Sequence, residues 1–214
     1  MKNIGQYDDE YSKCPCFWGT EPAKYVKLVP KYFSSGSALD LGAGEGKNSA
    51  YLASLGFNVT AIEVSLYAVR NFISWLLKNK EKSDSIAEKI DIICADVRKL
   101  DGLINKKYNV VIAYGLLHCF KSKSEIADFV NKMKDKTAKG GINVISTFTD
   151  EAPIPEIQDY LVPTLLSKNE LKDTFYKDWE ILDYEHGFIE HTHPTSQTMH
   201  KHGLCRMIAK KNKP

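Results

Sequence analysis

Between Ser37 and Phe148 the chain alternates short apolar runs with segments of helical spacing, and this alternation narrows the possible folds more than any other feature. Strands are expected at residues 37–41, 57–62, 90–95, 108–113 and 142–148. Between them, residues 48–54 form a helix stopped by Gly56, and residues 65–80 carry Leu66, Val69, Ile73, Leu76 and Leu77 at helical spacing. Ile126, Phe129, Val130 and Met133 mark one face of a further helix that starts near Ser122. Strands joined by crossover helices lie parallel, so an α/β fold with a doubly wound sheet is expected. The last third breaks the pattern. Ser167-Lys-Asn-Glu170 has the spacing of a capping box opening a short helix, and residues 179–186 and 204–210 read as strands joined by a His-rich segment. With no helix between them they should pair antiparallel, closing a mostly parallel sheet with a C-terminal hairpin.

The 214 residues suit one domain with a single core, preceded by an appendage at residues 1–35. In that appendage Tyr7, Tyr11, Phe17 and Trp18 stand among acids, and Thr20 and Pro22 are placed to open a helix over 23–33. Residues 36–214 form the domain proper. Hydrophobic residues at 43% and charged residues at 26% exclude a disordered or fibrous chain. A net charge of +2 lacks the basic surplus that phosphate neutralisation needs, which argues against nucleic acid as a partner. No apolar run approaches the roughly 18 residues of a membrane span, and residues 1–10 are polar and acidic, unlike a signal peptide. Five cysteines, an odd number, with Cys94 and Cys205 in strand-like runs, fit a reduced, cytoplasmic protein.

Where the first strand gives way to the first helix stands Asp40-Leu-Gly-Ala-Gly-Glu-Gly46. Gly42, Gly44 and Gly46 let the backbone turn sharply and let a ligand approach it. A dinucleotide fingerprint would place its third glycine one residue later, and a pyrophosphate is repelled by carboxylates, whereas a cationic amino-acid tail is attracted by Asp40 and Glu45. Glu63 at the end of the second strand can accept both hydroxyls of a ribose. Asp96, at the end of the third, can accept the exocyclic amine of adenine. Three acids at successive strand ends describe an adenosyl ligand with an amino-acid tail.

Asp40-x-Gly-x-Gly-x-Gly46, Glu63 and Asp96 resemble three successive motifs of the class I S-adenosylmethionine-dependent methyltransferases, over roughly residues 37–148. The resemblance implies a Rossmann-like, seven-stranded sheet, S-adenosylmethionine as cofactor and S-adenosylhomocysteine as product. It places Asp40, Gly42, Gly44, Gly46 and Asn48 at the methionyl part, Glu63 and Val64 at the ribose, and Asp96 and Val97 at the adenine, with Tyr114 lining the adenosyl pocket. Residues 38–49, Tyr51-Leu52, Leu55-Gly56-Phe57 and Val59, and residues 171–180, are similar to the tellurite-resistance (TehB-like) methyltransferases. In that family a C-terminal His followed by an Arg is proposed to serve the substrate. Aligned without gaps the His falls on His191 but the Arg position on Met199, which argues against an anionic oxyanion substrate.

The acceptor is expected to be a small molecule bearing a thiol, amine, hydroxyl or metalloid. His118, after the fourth strand, and His191 and His193 are candidates for the general base. His191-Thr-His-Pro194 and His200-Lys-His202 put four of the six histidines within one short stretch, read as a substrate site with His200 or as a polar loop. Tyr11 and Trp18 are expected to cover the acceptor from the N-terminal side. Cys14-Pro-Cys16 reads as a soft-metalloid pair or as incidental to a lid, and no metal is assigned. A non-catalytic binder of the same cofactor and a nicotinamide-dependent oxidoreductase stay open, and nothing in the sequence sets the oligomeric state.

Overall fold

The computed structural model describes residues 4–78, 86–153, 164–193 and 196–212, with backbone alone at residues 4–6, 191–193, 196–198 and 200. Seven strands form one sheet: β1 (Gly36–Leu41), β2 (Phe57–Glu63), β3 (Ile90–Cys94), β4 (Tyr108–Tyr114), β5 (Thr137–Thr149), β6 (Glu180–His193) and β7 (Ser196–Lys210), in the order β3-β2-β1-β4-β5-β7-β6. Pairing is parallel from β3 to β5 and antiparallel on both sides of β7. The reversed strand therefore lies one in from the edge, between β5 and β6.

Side chains alternate across the strands. Leu39, Leu41, Val111, Ala113, Ile145 and Met207 face one layer, with Phe129 and Met133 of α5 (Lys123–Asp135). Ala38, Val59, Val110, Ile112, Val144 and Ile208 face the other, with Leu52 of α2 (Lys47–Ser54) and Val26 and Val29 of a 3₁₀ turn. Both faces are thus covered, as parallel strands require. Ser122 caps α5 by accepting from the Glu125 N–H at 3.2 Å. The other helices are α1 (Ile4–Lys13), α3 (Leu66–Lys78) and the single turn α4 (Leu100–Leu103).

Three expectations need correction. The helix expected over 23–33 is only a 3₁₀ turn, Val26–Lys31, because Pro30 lacks the N–H that would continue an α-helix. The helix lies earlier, at α1, where Tyr7 and Tyr11 sit one turn apart and pack with Phe17 and Ala68. The capping-box segment opens only a π turn, Leu171–Phe175: Glu170 accepts from the Ser167 N–H at 2.7 Å, but the Ser167 hydroxyl donates to Asp150 instead of capping. The His-rich segment is not a loop between short strands, since β6 and β7 run through it and their backbones pair up to His193 and Ser196.

A candidate cofactor and acceptor site at the strand tips

The register aligns the carboxyl ends of the first three strands: Leu41 lies beside Ile62, and Glu63 beside Cys94. At the tip of β1, Asp40 is 1% exposed and accepts from the Ser49 hydroxyl at 2.7 Å. Burial raises its carboxyl to about 6, with the neighbouring Glu63 adding to the rise and Ser49 opposing it. The loop beyond is tied to β2 by the Gly42 and Ala43 N–H groups, which donate to the Ile62 carbonyl at 2.9 and 3.1 Å. Gly46 holds φ 79°, and a Cβ there would meet the Phe72 ring at 2.2 Å, so only glycine fits. A Cβ at Gly44 would meet the Tyr11 hydroxyl at 2.9 Å.

Glu63 is buried and gathers three backbone N–H groups: Gly44 at 2.8 Å on one oxygen, Val64 and Ser65 at 2.9 and 2.8 Å on the other. Burial pushes its carboxyl up, and those three donors pull it back. Asp96 follows β3 and is held by Arg98, whose Nε lies 3.0 and 2.9 Å from the two oxygens, whose Nη2 lies 2.5 Å from one, and whose backbone N–H donates to the other at 2.9 Å. These contacts hold the Asp96 carboxyl below its ordinary range, against partial burial. Val97 beside it is buried, and Val64 is exposed.

The structure thus brings Asp40, the glycine loop and Glu63 together. Two other predicted cofactor residues have protein partners of their own. The Asn48 side-chain oxygen accepts from the Ala23 N–H at 2.9 Å, and the Tyr114 hydroxyl accepts from Arg206 Nε at 3.1 Å. Arg206 in turn pairs with Glu185 at 3.2 Å, which also meets Lys24.

The N-terminal residues form a strap over this site. Asp8 accepts from the Ser65 hydroxyl, Tyr7 Oη lies 3.5 Å from Cys119 Sγ, and Trp18 Nε1 donates to the Tyr11 hydroxyl at 3.2 Å. Burial, together with nearby Cys119 and Glu63, drives the Tyr7 hydroxyl well above its ordinary range, and burial with Glu63 does the same to Tyr11. Asp8, Ser65 and Cys119 were not singled out from the sequence, and Tyr7 was noted there only as one aromatic of the appendage, although its spacing of one helical turn from Tyr11 was a usable signal.

At the tips of β4, β5 and β7 the His118 ring stacks on Phe148 at 4.3 Å and 16°, and Phe148 stacks on His202 at 4.4 Å and 8°. The Phe148 N–H donates to His118 Nδ1 at 3.4 Å, which leaves the ring proton on Nε2. Burial, helped by His202, lowers the His118 imidazole to about 3. His191 lies opposite His200 and His193 opposite Ser196 in the backbone register, while the side chains of His191, His193 and His200 lie outside the described ones. Met199 is exposed. Among the described residues no group of three or more His, Cys, Asp or Glu side chains is placed to hold a metal, and no helix is long and apolar enough to cross a membrane.

A last strand slipped antiparallel between the fifth and sixth, over a glycine loop at the tip of the first, is the layout of the Rossmann-like class I methyltransferases. The family described as "Tellurite resistance protein TehB" matches residues 7–201, and the chain belongs to it. Probable S-adenosyl-L-methionine-dependent methyltransferase TehB of Haemophilus influenzae is 31% identical over 187 residues, covering 85% of this chain. The chain spans 59% of that relative's length. The crystal structure of TehB from Haemophilus influenzae superposes with a TM-score of 0.74 at 26% identity, covering 96% of this chain and 67% of that one. The 1,6-didemethyltoxoflavin-N1-methyltransferase of Burkholderia thailandensis, solved with 1,6-didemethyltoxoflavin and S-adenosylhomocysteine bound, has a TM-score of 0.70 over 98% of this chain and 87% of that one. At 17% identity it speaks to the fold alone.

Proposed function

We propose that this chain transfers a methyl group from S-adenosylmethionine to a small-molecule acceptor, in the cytoplasm. The observation that carries the reading is the pair of buried carboxylates, Asp40 and Glu63, set at adjoining strand tips around a glycine loop and roofed by tyrosines. A polyphosphate would be repelled there, whereas a sulfonium with an ammonium tail is attracted. Asp40, Gly42, Gly44 and Gly46 would hold the methionyl part, with Asn48 anchoring the strap above it. Glu63 and Val64 would hold the ribose, since Glu63 keeps acceptor capacity on the oxygen that takes only the Gly44 N–H. Asp96 and Val97 would meet the adenine, and Tyr114 would brace the far wall through Arg206.

When bound, S-adenosylmethionine would supply an electrophilic methyl group, to which the acceptor's lone pair bonds in line as the sulfur–methyl bond breaks and S-adenosylhomocysteine leaves. The chain's own part is to align and to exclude water. Tyr11, buried against Gly44, and the half-buried Tyr7 beside it shield the site from water. His118 bounds the acceptor side as a neutral ring carrying its proton on Nε2, so in this tautomer it donates and does not abstract. That favours an acceptor that arrives with a free lone pair, such as a thiolate or other soft nucleophile. His191, His193 and His200 would close the acceptor space from the hairpin, with Tyr11 and Trp18 opposite. In this division residues 1–35 are the lid and residues 36–214 the catalytic domain.

Isothermal calorimetry with S-adenosylhomocysteine and with NADH tests the reading. Binding of the first and not the second is expected. Tight binding of NADH alone would replace it with an oxidoreductase, and cofactor binding without methylation of any thiol, amine, phenol or metalloid would replace it with a binding protein.

A further inference from the structure

The mechanism above leaves one acid of the glycine loop without a task. Glu45 was expected to face the cationic tail of the ligand, but its carboxylate is engaged elsewhere. The Cys16 N–H donates to one oxygen at 2.8 Å and the Phe17 N–H to the other at 2.7 Å. The Asn71 amide of α3 donates to the first oxygen at 2.9 Å, and the same amide nitrogen donates to the Tyr11 carbonyl at 3.0 Å. Cys16 holds φ 61°, a left-handed conformation that a non-glycine residue keeps only when its surroundings demand it. Here the demand is visible: the left-handed turn aims two successive N–H groups at one carboxylate, as a backbone nest does for an anion. The next residues of α2 fasten the following stretch of the strap, Lys47 Nζ donating to the Trp18 carbonyl at 2.5 Å and Asn48 accepting from Ala23.

We propose that Glu45 is a positioning residue: it latches the strap to the glycine loop and so holds Tyr7 and Tyr11 over the cofactor. The inference rests on the cofactor reading above. Glu45 and Gly44 are neighbours, so a ligand seated on the loop and a strap seated on Glu45 share one piece of backbone. Opening the strap frees the ligand, and a seated ligand steadies the strap. The loop acid thus governs how long the cofactor stays, while Asp40 and Glu63 govern how well it is recognised. The thiol of Cys16 has no part in the latch, which uses its backbone alone.

Two measurements test this. In the ligand-free protein, hydrogen exchange should show the Cys16 and Phe17 amides protected, and Glu45→Ala should remove that protection. Unprotected amides in the unmodified protein would overturn the latch whatever the ligand. In stopped-flow displacement of S-adenosylhomocysteine, Glu45→Ala and Asn71→Ala should each speed dissociation about 10-fold with association changed far less, and the double variant should add little to either. Glu45→Gln, which keeps one acceptor oxygen, should fall between, and Cys16→Gly, which keeps both N–H groups, should release at the original rate. If Glu45→Ala does not fold, Asn71→Ala carries the test from the α3 side. Unchanged dissociation in Asn71→Ala, or a loss that lies wholly in association, overturns the proposal. Failure of the unmodified protein to bind S-adenosylhomocysteine overturns the cofactor reading instead, with the exchange result still deciding the latch.

Discussion

At the tips of β1, β2 and β3, carboxylates are fixed by donors from the same or the adjoining strand–helix unit; at the tips of β4, β5 and β7, rings are fixed by segments far apart. Glu63 takes N–H groups from Gly44, Val64 and Ser65, and Asp40 takes the Ser49 hydroxyl, all within the first two strand–helix units. His118 is oriented by Phe148, thirty residues on, and Phe148 by His202, far beyond that. The first region is charged, and its burial costs stability. The second is neutral and stacked on Phe148, so its burial costs less.

The contrast can be broken most directly at Gly46. Gly46→Ala forces a side chain into the Phe72 ring from a left-handed backbone, and should cost about 2–5 kcal/mol of unfolding free energy in denaturant titration. A loss below about 1 kcal/mol would mean the loop is not as tightly cast as described.

The second test lies at the ring stack. A His118 lowered to about 3 from an ordinary 6.5 is held neutral by the fold, so its contribution is complete above pH 6.5 and drains away as pH falls toward 3. About 3 kcal/mol should be lost between pH 6.5 and 4, and His118→Gln should flatten that part of the stability curve. An unchanged slope would show that the ring is not desolvated.

Asp40 should behave with the opposite sign. Its carboxyl is raised to about 6, so the stability it contributes is present below its ordinary 3.8 and lost as pH climbs through 6. Asp40→Asn should therefore stabilise the ligand-free protein by about 1–3 kcal/mol at pH 8, with the gain vanishing below pH 4, while binding of S-adenosylhomocysteine weakens. Stabilisation without weakened binding would remove Asp40 from the site.

The smallest effect is expected at Asp96. Arg98 fills its acceptor positions, but the pair is partly exposed, so Arg98→Ala should change stability by less than about 1 kcal/mol. It should tighten S-adenosylhomocysteine binding by up to about 5-fold, because the carboxylate no longer has to exchange partners. Weaker binding instead would mean that Arg98 itself contacts the nucleoside.

The carboxylates and glycine loop at the first three strand tips were legible in the sequence because their information is local. Asp40 to Gly46 is one short run, and Glu63 and Asp96 are located by where apolar runs stop. The parallel core was legible for the same reason, since Ala38/Leu39 and Val110/Val111 send alternate side chains to the two layers. What escaped depends on distance or on polar pattern. Glu45 reaches Cys16 across 29 positions, and nothing in either residue type announces the pairing. Helix α1 carries acids and two tyrosines rather than an apolar stripe, and packing supplies what its composition does not. The Ser, Thr and His residues of the hairpin read as loop, yet their backbones find ladder partners. Pro30 was the available signal that the helix over 23–33 would not form.

The placement of β7 has a consequence for how the chain assembles. β6 emerges from the ribosome first but sits outside β7, touching the rest of the sheet only through it. Until β7 has been made and slotted beside β5, a fourteen-residue strand has no neighbour to pair with, and in a crowded cell such a ribbon can pair with the wrong chain. The histidines, charged residues and bulges scattered along β6 are suited to that interval, keeping the waiting ribbon hydrated and uneven until its proper partner arrives.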